Sequence, residues 1–125
     1  MKKLFAPLLF FGNLAVIFAI WFQGANLDFI SFGRLAGLLA FYLILWQLLL
    51  IGRIGWIESV WGHDVLSRWH HRNGIVAWSL LAIHPVLIVL GYGRIPLELR
   101  GIVLAIIAYA MFMIIVPISF SMVRR

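Results

Sequence analysis

The sequence predicts an all-α fold: a polytopic transmembrane bundle of four helices with both termini in the cytoplasm. Three observations carry that expectation. Of 125 residues, 65% are hydrophobic and only 11% are charged, against roughly half and a quarter in soluble domains. The charges fall between long apolar runs, and about 20 apolar residues are what it takes to cross the hydrocarbon. The basic residues divide unequally between alternate connections, as the positive-inside bias requires.

Four uncharged stretches run over Leu4–Leu27, Leu35–Gly52, Asn73–Gly93 and Gly101–Val123. In lipid every backbone polar group must bond internally, so each stretch is expected to be helical. The expected helices cover about 4–23, 35–52, 70–92 and 101–121 of one domain spanning 1–125. The first follows Met1-Lys2-Lys3 as a signal peptide would. It is long for one, however, and has no clear small-x-small cleavage site before Asp28, so it reads as a retained span.

The second stretch opens with Gly33 and Gly37, a small-xxx-small pair where helices can approach closely. The connection Arg53 to Arg72 repeats Ile57, Trp61, Val65 and Trp69 every four residues. That spacing predicts an amphipathic helix lying in the cytoplasmic interface, with its tryptophans as headgroup anchors, although Gly62 interrupts it. A cytoplasmic N-terminus puts Lys2, Lys3, Arg53, Arg68, Arg72, Arg124 and Arg125 inside and only Arg34, Arg94 and Arg100 outside.

Composition also excludes. A net charge of +6 would raise nucleic acid as a partner, but no contiguous basic stripe with interleaved aromatics is present. The lipid bilayer is the expected partner instead. With no cysteine, disulfides, thiolate metal sites and cysteine nucleophiles are ruled out. No carboxylate lies within a span and no pair of broken helices is evident, which argues against a small transporter or channel. No serine, histidine and carboxylate group assembles at membrane depth, so a hydrolase is disfavoured.

The histidines of the third span carry the functional expectation. His70 and His84 are fourteen residues apart, about 40° short of four full helical turns and about 21 Å along the axis. Both therefore point the same way, with Gly74, Ala77 and Leu81 between them. The separation is too great for one ion yet suits one ligand to each of two stacked haems, and a flat macrocycle could lie on this small-residue stripe. His84 stands roughly 16 Å into the span, where an ionisable group is costly. A hydrogen bond from its imidazole to a neighbouring helix carbonyl is the alternative. Gly74 lies directly above His70, and Arg68 and Arg72 flank it as candidates for haem propionates or as topology determinants. His63 reads as a solvated polar residue.

From about Gly33 onward the chain resembles the ferric reductase-like transmembrane domain shared by bacterial haem oxidoreductases, ferric reductases and NADPH oxidases. The resemblance rests on Gly33-Arg34-Leu35-Ala36-Gly37-Leu38, Arg53, Gly62-His63-Asp64, His70-His71-Arg72-Asn73-Gly74 and His84-Pro85. It implies a haem b electron-transfer module in a bacterial inner membrane. His70 would ligate the haem nearer the cytoplasm and His84 the outer one, with His71 as the alternative register to His70. Electrons would come from a cytoplasmic flavin, through an FAD and NAD(P)H domain or partner subunit.

The family takes the opposite axial histidines from a later helix, whereas no histidine follows His84 here. The sequence is therefore expected to be the amino-terminal part of a longer reductase or a shortened relative. A structural or assembly subunit that binds no cofactor is the competing expectation.

Overall fold

Asp28 caps the start of the second span. Its backbone is extended, and its carboxylate accepts from the Ser31 amide at 2.7 Å, satisfying one of the donors that the first helical turn leaves free. The computed structural model describes residues 2–95, 97 and 100–123, with side chains over 4–95, 97 and 100–119. Five helices follow in order: α1 (Lys2–Gly24), α2 (Phe29–Ile51), α3 (Gly55–Trp61), α4 (His63–Tyr92) and α5 (Ile102–Val123). Among the described residues there is no strand.

Four of these helices, all but α3, are long and apolar enough to cross a membrane. Their outward faces are apolar as well: Leu8, Phe22 and Leu104 are 68%, 71% and 72% exposed. That much contiguous apolar surface suits a bilayer rather than water. Arg124 and Arg125, expected on the cytoplasmic side, lie outside the described residues, as do the side chains of Lys2 and Lys3.

Two helix starts differ from expectation. α2 begins at Phe29 rather than near 35 and so includes Arg34; the Asp28 cap, and not the last charge, sets its beginning. α4 begins at His63 rather than near 70, because Gly62 at φ 77° turns the chain there. That positive φ costs glycine nothing, and it splits the expected interfacial helix into α3 and the first turns of α4. Trp61 and Trp69 still meet across the break, their rings 5.9 Å apart.

The structural core is one antiparallel pair, α2 against α4, by far the most extensive helix contact. Small residues let it close. A Cβ on Gly33 would lie 2.8 Å from Ile88 Cδ1 and 3.2 Å from the Ile88 amide nitrogen, and one on Gly91 would overlap Ile30. Ala40 and Ala77 are 0% and 2% exposed. Asn73 adds a polar clasp, donating to the Leu43 carbonyl at 2.8 Å.

The other spans attach by few groups. On α1, Trp21 donates to the Ser31 carbonyl at 2.9 Å, and Tyr42 of α2 donates to the Phe10 carbonyl at 2.6 Å. Phe10 also packs on Trp46 with ring centres 5.1 Å apart. α5 is tied to α4 by Tyr109, whose hydroxyl meets the Ala82 carbonyl at 3.3 Å. Both contacts are sparse beside the α2–α4 seam.

Candidate functional site

His84 is held by a backbone carbonyl. Its Nδ1 lies 2.7 Å from the Gly33 oxygen of α2, and since a carbonyl can only accept, Nδ1 carries the proton. In that tautomer Nε2 is the nitrogen left to accept or to ligate. Gly37 makes the approach possible. A Cβ there would stand 2.8 Å from Nδ1 and 2.9 Å from Cε1 of the same ring, so the imidazole fills the space that a side chain would take.

His84 is half-buried and borders a shallow groove formed with Leu81 of α4 and Arg34, Leu38 and Phe41 of α2. Those α2 positions recur at three- and four-residue spacing, so they form one face. The groove is apolar except for Arg34 and the imidazole. Pro85 lies within an unbroken α4.

His70 occupies the other end of the seam. The contacts Gly33–Ile88, Gly37–His84, Asn73–Leu43 and Gly91–Ile30 fix a register in which paired numbers sum to about 120. That register puts His70 beside the last two turns of α2, where Gln47 also lies. Both side chains have a buried polar atom without a hydrogen-bond partner, Nδ1 of His70 and Oε1 of Gln47. Buried polar groups are nearly always satisfied; these two orphans, like Nε1 of Trp78, leave hydrogen-bonding capacity unmet.

The stripe between the histidines is covered in part. Ala77 and Leu66, on the same face as His70 and His84, are 2% and 4% exposed, and α2 is the helix that packs on α4. Of the stripe residues themselves only Ala77 is buried; Gly74 and Leu81 are partly exposed, and Leu81 borders the groove beside His84.

The remaining candidates lie at the α3 end. Arg68, His71 and Arg72 are exposed, and Arg72 opens onto a separate aromatic cavity rather than onto the His84 groove. His63 pairs weakly with Glu58 at 3.8 Å, both side chains well exposed. Among the described residues no group of three or more His, Cys, Asp or Glu can hold a bare metal ion.

Sequence reasoning missed Arg34, Gln47 and the Gly33 carbonyl. The Gly33 and Gly37 pair was the available signal that something approaches α2 closely, but it does not name a histidine as the visitor. No family model, curated protein or solved structure matches the chain.

Proposed function

We propose that this chain is the transmembrane haem b module of a ferric reductase-like oxidoreductase, accepting electrons from a cytoplasmic flavin and passing them across the membrane. The observation that carries the reading is the hydrogen bond from His84 Nδ1 to the Gly33 carbonyl. Haem-ligating histidines characteristically donate their other ring nitrogen to a carbonyl or carboxylate, which fixes tautomer and orientation and raises ligand basicity.

The residues present fit the group. His84 offers Nε2 at an apolar groove, where Arg34 supplies one cation for a propionate. His70, half-buried at the other end of the seam, would offer Nε2, its enclosed Nδ1 having no partner among the described residues. Haem bound there would supply reversible one-electron transfer. A partner subunit or further domain would supply the flavin and nicotinamide chemistry and any additional haem ligand. Both termini are assigned to the cytoplasm of a bacterial inner membrane, and α3 with the first turns of α4 to the inner leaflet.

The test is spectroscopic. Protein purified with haem supplied should show the bands of a low-spin b-type cytochrome, and His84→Ala should lose those attributable to its site. A protein that stays colourless in the presence of excess haem defeats the proposal.

A second reading draws on the same bond. A structural subunit without cofactor would use His84 as an interhelical clasp, worth about 0.6 kcal/mol on the scale of such bonds in membranes. His84→Asn separates the two: the clasp survives an amide, whereas axial ligation does not.

A further inference from the structure

A second concave site lies apart from the His84 groove. Where α3 closes under α1, α2 and α4, a cavity of about 330 Å³ is walled by Phe10, Trp46, Ile57, Trp61, Leu66 and Trp69. That volume lies at the lower end of small-ligand pockets. Apart from the indole N–H groups, Asn73 and Arg72 are the polar residues among the described lining. The Asn73 amide is already committed to the Leu43 carbonyl, while Arg72 has no ion pair or hydrogen bond among the described residues.

An apolar chamber with one permanent, uncommitted cation at its edge is matched by an amphiphile with an anionic head. We propose that this cavity is a binding site for an anionic phospholipid, its acyl chain among the tryptophans and its phosphate on Arg72. The guanidinium fork matches phosphate oxygens in pairs, and Arg68, one helical turn away and also exposed, adds a second cation on that side. Free phosphate would have no use for the aromatic walls. A zwitterionic lipid carries a compensating cation that Arg72 repels. α3 is the floor of the site: Ile57 is buried at 7% exposure, so the short helix is packed in place by the elements that the lipid would join. The site stands independently of haem binding.

Native mass spectrometry of the full chain released from phosphatidylglycerol or phosphatidylcholine nanodiscs tests this. One phosphatidylglycerol should be retained, with at least about tenfold preference over phosphatidylcholine, equivalent to 1.4 kcal/mol. Arg72→Gln should abolish the preference and Arg72→Lys restore part of it. Leu50→Trp, which fills the cavity, should reduce retention of either lipid; Ala6→Phe fills the same space from α1 if the first variant does not fold. Equal retention of the two lipids overturns the proposal, as does retention unchanged in Arg72→Gln. Displacement of the lipid by millimolar inorganic phosphate would assign Arg72 to a soluble anion and overturn it too.

Discussion

The imidazole of His84 replaces the side chain that Gly37 lacks, and its Nδ1 reaches past that glycine to the Gly33 carbonyl 2.7 Å away. One turn of α2 thus supplies both the space and the acceptor. The pairing has a direct consequence for Gly37→Ala. A Cβ 2.8 Å from Nδ1 would push the ring off its carbonyl, and overpacking of this kind costs about 1–3 kcal/mol. Gly37→Ala should lower both unfolding stability in detergent and haem retention. In a double-mutant cycle its cost should largely vanish on a His84→Ala background. Additive losses would show that the two residues do not act through each other.

Asn73 and Gly91 hold the same seam by opposite means. Asn73→Leu removes the donor to the Leu43 carbonyl, a loss of about 0.5–1.5 kcal/mol by the usual worth of such a bond. Gly91→Ala puts a methyl into Ile30, backbone as well as side chain. It should be the more damaging of the two, because a backbone neighbour cannot rotate away. Denaturant titration in micelles, followed by tryptophan fluorescence, ranks them; Asn73→Leu proving worse would contradict the close packing at that end.

Acid should loosen the start of α2. The hydrogen bonds from the Ser31 backbone and side chain lower the Asp28 carboxyl from its ordinary value, with Arg34 adding to the effect. A carboxyl with a depressed folded-state pKa stabilises the fold above its unfolded pKa, near 3.9. That stability is lost as pH falls through the folded value. The protection factors of the Ser31 and Phe32 amides should therefore fall below about pH 4, and Asp28→Ala should keep them low at all pH values. No acid limb in the wild-type protein would show that the cap does not depend on the charge.

These positions also show what the sequence could and could not disclose. The spans were legible because a charge at bilayer depth is expensive and their absence over some 20 residues is conspicuous. Counting outward from charges misplaced the start of α2, since Arg34 sits inside the helix and the cap at Asp28 was the better boundary signal. The role of Gly62 as a breaker was legible, but that α4 resumes at once after it was not. Depth singled out His84. Its acceptor was hidden, because a backbone carbonyl has no sequence signature and helical periodicity identifies a buried face without naming the helix that covers it. Covering of the stripe around Ala77 by α2 was hidden for the same reason.

His70 and His71 are neighbours in sequence and opposites in setting, which makes the choice of ligand testable. His70 shares a face with Leu66 and Ala77, both buried, and its Nδ1 is enclosed without a partner; His71 is exposed and turned about 100° away. An enclosed nitrogen with nothing to bond is a standing cost of about 1–3 kcal/mol, which a fixed polar partner would relieve, with Nε2 left as the nitrogen for a metal. His70→Ala should therefore lower haem content in chains carrying wild-type His84, and His71→Ala should leave it unchanged. Gln47→Leu provides the control. It removes the other orphan at that end of the seam without touching a candidate ligand, so it should raise stability toward denaturant while the cytochrome spectrum of the His84 site is kept. Haem loss in His71→Ala, with His70→Ala intact, would shift the ligand register by one residue.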